Sequence, residues 1–437
     1  VSEPPFPLSR LVLPLYAGLT TAAGLVGWPL FYWHLRRRGR GESFAPRLGG
    51  ALPEASPADG RPHIWLHGVS VGEIGGAGPL VRQLRSLVPE ARVFISTSTE
   101  TGQAVARQLF PEADRVFYFP LDLPWTVHRY LNRLRPTLFV ALETEIWPNF
   151  INIANNQGVV LALANARLSD RSSRRYGYIQ PLFADLIHRF GLIAASSSED
   201  ARRFLELGAD PSRVRVTGST KFDRLADTQT APAADRQRRL LRVQGAPVFL
   251  AGSTHPGEEE ILIATYQSLR AASPTLLFIL APRHPERAPE VGRMLARAGL
   301  EFQLWTSLAA GEEIRTRPVV LVNTVGELFS LYGQADVVFV GGSLVPHGGQ
   351  NILEPAAWGK APLYGPQMHN FRPAVALLEA AGAGGKVSGP GDLLAQVRFR
   401  LTHREEREAL GDRAREALER HQGAARRQAE LLAELIR

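Results

Sequence analysis

Hydrophobic and polar positions divide the chain into an uncharged opening and a long alternating remainder. Residues 11–33, LVLPLYAGLTTAAGLVGWPLFYW, carry no charge over 23 positions. As a helix rising 1.5 Å per residue, such a run extends about 35 Å, enough to cross a bilayer. Trp28, Phe31, Tyr32 and Trp33 gather at its end and HLRRRGR follows, the order of an interfacial aromatic belt and a cytoplasmic basic flank. The pattern predicts a membrane anchor over 1–40, either spanning or lying in the interface. A cleaved signal is disfavoured, because the basic cluster follows the apolar run instead of preceding it.

After a Gly/Pro/Ala-rich connector at 48–62, short apolar runs alternate with helical patterns: HIWLH, RVFIST, RVFYFP, TLFVALE, VVLALAN and LIAASS. Residues 224–246 lack strand character, and then VFLAGST, TLLFILAPRH, VVLVN, VVFVGGS and APLYG resume the alternation. This predicts an α/β protein with two Rossmann-like domains, 41–230 and 231–437, each a parallel sheet wrapped by helices, the second ending in helices after 402. Such sheets bind ligands beyond the carboxyl ends of their strands, so two domains facing across a cleft make the residues just after strands the candidates for chemistry.

Composition narrows the chemistry only a little. No cysteine is present, which excludes disulfides and thiolate nucleophiles. Fifty Lys and Arg against forty-two Asp and Glu give +8, with lysine only at 221, 360 and 386. A basic balance suits nucleic acid, an anionic membrane or a phosphorylated substrate equally, so position must decide.

Glu73 lies past the end of HIWLH, beside Gly72, Gly75, Gly76 and Gly78. It reads either as a functional carboxylate on an open glycine floor, with Pro79 beginning a helix, or as a charge favouring a helix N-terminus. In VVFVGGSLVPHGGQNILEP, Asn351 and Glu354 have capping-box spacing. The functional alternative has Gly348, Gly349 and the helix start offering N–H groups to a phosphate while Glu354 accepts ribose hydroxyls. Arg283 follows a strand where its guanidinium can grip a phosphate, His255 ends the neighbouring run, and Lys221 stands before the linker. No spacing suits a metal, and none is expected.

The motifs HGVSVGE, TSTETG, FPLDLPW, ETEIWPN, NARLSDRS, GSTKFD, GSTHPGEEE, APRHPER, GELFSLYGQADVVFVGGSL and GGQNILEPAAWGKAPLYGP, in this order, resemble the 3-deoxy-D-manno-octulosonate (Kdo) transferases of lipopolysaccharide synthesis, from the apolar segment to about residue 420. The resemblance implies a GT-B glycosyltransferase on the cytoplasmic face of the inner membrane. It would move Kdo from CMP-Kdo to the lipid A precursor, lipid IVA, with inversion, without cofactor or metal, and without nucleic acid as partner. By motif it implies Glu73 as general base, Gly72, Glu143 and Glu145 on the acceptor side, and Lys221, His255, Arg283, Gly348, Gly349, Asn351 and Glu354 on the donor side. One departure stands out: the family's frequent GGHN reads Gly348-Gly349-Gln350-Asn351 here, and glutamine cannot carry a charge. The alternatives to this function are a GT-B transferase using another nucleotide sugar on a membrane lipid, and a non-catalytic tethered scaffold.

Overall fold

The computed structural model describes residues 9–37, 44–57, 59–227, 231–243 and 245–436. It divides into two units, 1–224 with 422–437, and 225–421. In unit 1, α1 (Ser9–Arg37) precedes β1 (His63–His67), α2 (Val71–Leu87), β2 (Arg92–Thr97), β3 (Arg115–Tyr118), β4 (Leu138–Leu142), α3 (Pro148–Asn156), β5 (Val160–Ala166), α4 (Gln180–His188), β6 (Phe190–Ala195), β7 (Val214–Val216) and α5 (Thr220–Asp227). The strands pair in parallel in the order β3-β2-β1-β4-β5-β6-β7.

Burial on both faces explains why these strands read as continuous apolar runs. On β1, Ile64 and Leu66 join one core with Ile74, Leu80 and Leu84 of α2, while Trp65 points into the other. Trp65 meets Phe139 and Phe150 edge-on at 5.4 and 5.2 Å and donates its Nε1–H to Ser96 Oγ at 2.7 Å, so its one polar atom is satisfied inside the core.

Unit 2 holds β8 (Val248–Thr254), α6 (Glu259–Arg270), β9 (Leu277–Pro282), β10 (Phe302–Leu304), β11 (Val319–Leu321), β12 (Val337–Val340), α7 (Leu353–Ala357), β13 (Leu363–Tyr364) and β14 (Gly385–Lys386). Its seven strands, also parallel, run β10-β11-β9-β8-β12-β13-β14. The last helix, α8 (Ala424–Glu434), packs in unit 1, not with the second sheet where the sequence reading put it. Its Ala429, Leu432 and Ala433 enter the core that holds Ile74 and Leu80.

The expected membrane-crossing segment is corrected. Among the described residues no helix is long and apolar enough to cross a membrane. One side of α1 is occupied by protein: Leu13 is buried in the Trp65 core, Tyr16 donates to Asp122 at 3.2 Å, and Asn149 donates to Thr20 Oγ1 at 3.0 Å. Gly24 permits close approach, since a Cβ there would lie 2.8 Å from the Trp125 ring. Asp122 also accepts the N–H groups of Asn149 and Phe150 at the start of α3, and burial lifts its pKa to about 6. Leu11, Leu15, Leu19, Leu25 and Val26 are exposed; at about 100° per residue they share one stripe opposite the packed side. The side chains of the expected aromatic belt and of its basic flank, residues 28–40, lie outside the described residues.

Deleting residues 1–40 should therefore leave unit 1 folded but weaker. Loss of a buried leucine at about 2 kcal/mol and two hydrogen bonds at about 1 kcal/mol each predicts a calorimetric melting temperature lower by roughly 5–10 °C. An unchanged melting temperature would show that α1 adds nothing to the packed unit.

Candidate functional site

In unit 1 the strand order reverses between β1 and β4, so the loops that follow these two strands leave in different directions and open a crevice at the carboxyl edge. Glu73 stands just after the first loop, in the opening turn of α2, and Glu143 and Glu145 come from the second. The loop after β1 is short because α2 begins at Val71, eight residues before the start expected at Pro79. Ser70 is its N-cap: its Oγ accepts the Glu73 N–H at 3.3 Å, and the Glu73 carboxylate returns to the Val69 N–H and the Ser70 hydroxyl, both at 2.7 Å. This reciprocal arrangement is a capping box reaching one residue further back than usual. Pro79 sits inside the helix, where it forfeits one backbone bond.

The glycines after Glu73 do not form the open floor expected of them. Gly75 and Gly76 are buried, and a Cβ would lie 2.9 Å from Arg224 Cζ at the first and 3.7 Å from Lys221 Cγ at the second. They admit α5 against α2, and α5 carries Lys221. Its Nζ lies 2.7 Å from Glu143 Oε1. Glu143 holds a left-handed φ of 59° while its N–H extends the ladder to Ala164 O at 3.0 Å. A non-glycine residue rarely adopts that conformation without a neighbour that rewards it.

Three carboxyls and one ammonium thus share this edge. Burial raises the Glu73 pKa, the charge of Glu143 adds to the rise, and Ser70, Val69 and Lys221 oppose it. Glu145 is pushed up to about 7 by burial and then by Glu73, although Trp147 Nε1 donates to it at 3.0 Å. Gly72, in the first turn of α2, is exposed and leaves the space beside Ser70 clear.

Unit 2 repeats the reversal between β8 and β12. His255 follows β8 and Gly341–Leu344 follow β12, and both segments are organised by Glu258, which is fully buried. Its carboxylate accepts the N–H groups of His255, Gly342, Ser343 and Leu344 at 2.7–3.0 Å. Four donors on one anion satisfy a charge that burial would otherwise penalise. His255 stacks on His347 with ring centres 4.2 Å apart and meets His284 edge-on at 6.0 Å. Burial and then the neighbouring His347, His284, Arg283 and Arg287 lower its pKa to about 4. Its Nε2 lies 3.3 Å from Gln350 Nε2. The ring and the amide share a hydrogen bond there, whose direction the ring tautomer sets. Arg283 is exposed after β9, its backbone N–H held by Thr254 O at 2.9 Å.

The glycine loop differs from expectation. Gly349 donates its N–H to Gly342 O at 2.7 Å, so that group is already used within the loop. Gly348 and Gly349 hold φ of 89° and 80°, and a Cβ on Gly348 would lie 2.7 Å from His369 Nε2. Conformation and close packing both require glycine there. The helix behind them, α7, is only five residues long, and its Leu353 N–H is taken by Asn351 Oδ1 at 3.2 Å. Asn351 Nδ2 donates to Glu354 Oε1 at 3.1 Å, so the two side chains bond each other and not as an N-cap and its return partner. Among the described residues, no three His, Cys, Asp or Glu side chains are grouped as a metal ion requires.

Sequence reasoning missed Ser70, Glu258 and Asn165. The first two carried signals: S-x-x-E at 70–73 is a capping-box spacing, and Glu258 is one of three consecutive acids after a strand.

Two parallel sheets with sites at their order reversals define a GT-B-like fold. Similar solved structures are UDP-GlcNAc 2-epimerase from Neisseria meningitidis bound to UDP-GlcNAc (TM-score 0.57, 15% identical, covering 82% of this chain and 97% of that one) and a glycosyltransferase from Rickettsia africae (TM-score 0.55, 13% identical, 86% and 99%). At such identities the likeness is one of fold alone. Residues 42–224 match the family model described as 3-deoxy-D-manno-octulosonic-acid transferase (kdotransferase). The 3-deoxy-D-manno-octulosonic acid transferase of Haemophilus influenzae is 36% identical over 370 residues, 84% of this chain and 86% of that protein. The chain belongs to the Kdo transferase family: it is a glycosyltransferase that takes Kdo from CMP-Kdo in lipopolysaccharide core synthesis.

The carboxyl cluster makes its own titration testable. The folded Glu145 keeps its proton up to about pH 7, above its ordinary 4.5. Between those values the folded state binds more protons than the unfolded chain, so stability falls as pH rises through this window and is level above it. Infrared titration of the carboxyl band should find one group with a midpoint near 7. The midpoint should drop in Glu73→Gln, because a neighbouring negative charge is gone; an unmoved midpoint would separate the two groups electrostatically.

Proposed function

We propose that this chain transfers Kdo from CMP-Kdo to a hydroxyl of lipid IVA by a single inverting displacement in which Glu73 is the general base. The observation that carries this reading is the cluster at the β1 and β4 ends, where burial and then the Glu143 carboxylate raise the Glu73 pKa while Lys221 keeps the cluster from being wholly anionic. A sugar hydroxyl is a poor nucleophile, and a base works best with a pKa near the operating pH. As the acceptor oxygen bonds to the anomeric carbon, its proton passes to Glu73 and the bond from that carbon to the CMP phosphate oxygen breaks. The electron pair leaves with CMP.

The leaving phosphate gains charge, and Arg283 is the cation that meets it in unit 2. His255, kept neutral, contributes a hydrogen bond and no charge. Glu354, tethered by Asn351, accepts ribose hydroxyls, and Gly348 and Gly349 shape the loop beside it. In unit 1, Glu143 orients Lys221, Glu145 buffers the cluster, and Gly72 leaves room for the acceptor.

The acceptor is a lipid, and α1 suits that. Its outward leucine stripe with polar ties on the opposite side fits a helix lying in the interface of the inner membrane at its cytoplasmic face, which raises the local concentration of acceptor.

Incubating the protein with CMP-Kdo and tetraacylated lipid IVA should give a lipid heavier by one or more Kdo residues in a mass spectrum; no mass increase with active acceptor present rejects the reading. Excess EDTA should leave turnover unchanged, since Arg283 and Lys221 supply the positive charge; loss restored by magnesium would refute the metal-free displacement. Glu73→Gln keeps a bond to the Val69 N–H through its oxygen and can turn its amide to Ser70. It should preserve melting temperature and CMP affinity while turnover falls about 10²–10⁴-fold. Normal turnover with a small loss of stability would leave Glu73 only its capping role.

A further inference from the structure

Lys221 reaches Glu143 because the start of α5 is held from beneath, and the support comes from the far end of the chain. Gln428, on α8, is fully buried. Its Nε2 donates to Thr217 Oγ1 at 3.0 Å and to Gly218 O at 3.1 Å, and its Oε1 accepts the Asn165 N–H at 3.1 Å. No capacity of that amide is spent on solvent.

Asn165 is the second link. It lies inside β5 with a left-handed φ of 53°, where the pairing with β6 slips register. An N–H turned out of the ladder needs another acceptor, and Gln428 provides it. The Asn165 side chain in turn accepts the Thr220 N–H and the Ser196 hydroxyl, both at 3.2 Å. Thr220 is the first residue of α5, and Lys221 is the next.

The tie is reciprocal. Asp223, one turn along α5, accepts the N–H groups of Gly423 and of Ala425, the latter at 2.9 Å, at the start of α8, where a carboxylate also meets the positive end of the helix. Arg427 donates to Thr217 O at 2.8 Å.

We infer that Gln428 is a positioning residue for the Lys221–Glu143 pair: its buried amide fixes the Asn165 turn and the Thr217–Gly218 segment from which the lysine's helix departs. This rests on the reading of the Glu73 cluster as the catalytic one. The charged groups around Glu73 are Glu143 and Glu145 after β4 and Lys221 on α5, with Arg224 on α5 packed over Gly75. A lysine that swings away removes the one contribution from these carboxylates and Lys221 that favours ionised Glu73.

Gln428→Leu preserves bulk and deletes all three bonds; Asn165→Gly keeps the left-handed turn, which glycine adopts freely, and deletes the side-chain bonds to Thr220 and Ser196 while leaving those of Gln428 in place. Both should lower kcat about 10–100-fold, leave KM for CMP-Kdo within about twofold, and move the acid limb of the kcat–pH profile to higher pH. Lys221→Met is the reference. If it shifts the limb while neither Gln428→Leu nor Asn165→Gly does, and only their melting temperatures fall, Gln428 is structural and the inference is wrong. If Lys221→Met leaves kcat and the limb unmoved, the catalytic reading of the cluster fails instead. Should Gln428→Leu not fold, Asn165→Gly alone decides, because its α8 contacts through the Asn165 N–H remain.

Discussion

Parallel pairing is the constraint from which the rest of this structure follows. Every strand of a parallel sheet ends on the same edge, and each return to the opposite edge needs a helix, so polar residues just after strands collect on one side without any local sequence relation. Where the strand order reverses, helices leave to opposite faces and the edge stays open. Glu73 and Glu143 come from β1 and β4, and His255 and Gly342 from β8 and β12; each pair flanks the reversal in its own sheet. The candidate residues lie where the topology leaves room.

The two edges handle charge in opposite ways. In unit 1, three carboxyls are kept close with one lysine, and the cost appears as raised proton affinity at Glu73 and Glu145. On the proposed reading, that suits a group that accepts a proton. In unit 2, the carboxylate at the equivalent place, Glu258, is neutralised by four backbone donors and turned inward. What remains outward is the Arg283 guanidinium, which on the proposed reading suits an anionic donor, while His255 is buried beside it with its pKa lowered. A shared fold does not dictate this contrast; an epimerase has similar topology at 15% identity. The side chains after the strands do.

Most strands were legible as apolar runs because burial on both faces leaves no alternation to misread. HIWLH, RVFIST and VFLAGST are strands over their full length, whereas β7, β10 and β14 went unread: they are edge or near-edge strands of two or three residues with no apolar run to announce them. Glu73, His255 and Arg283 were legible as residues after strands, Glu354 as half of a capping-box spacing and Lys221 as a rare lysine before the linker, but not what they touch. Lys221 meets Glu143 across 78 positions, and Asn165 meets Gln428 across 263. No local pattern encodes such separations. The uncharged run at 11–33 left crossing and lying in the interface undecided for a related reason. Hydropathy reports the composition of a helix and is blind to the Tyr16 and Thr20 bonds that commit one of its sides to the domain.

Gln350 illustrates how a single departure reshapes a site. A histidine there could share a proton with His255, and protonation of either would place a positive charge beside the donor. The amide of Gln350 can only donate to His255 Nε2 or accept from it, and carries no charge either way. His347, stacked at 4.2 Å, and the nearby Arg283 both disfavour a second cation. On the proposed reading, the positive charge offered to the donor phosphate is the Arg283 guanidinium. On the same reading, the pH dependence of the reaction falls to the carboxyls beside Lys221, where burial raises the proton affinity of Glu73 and Glu145.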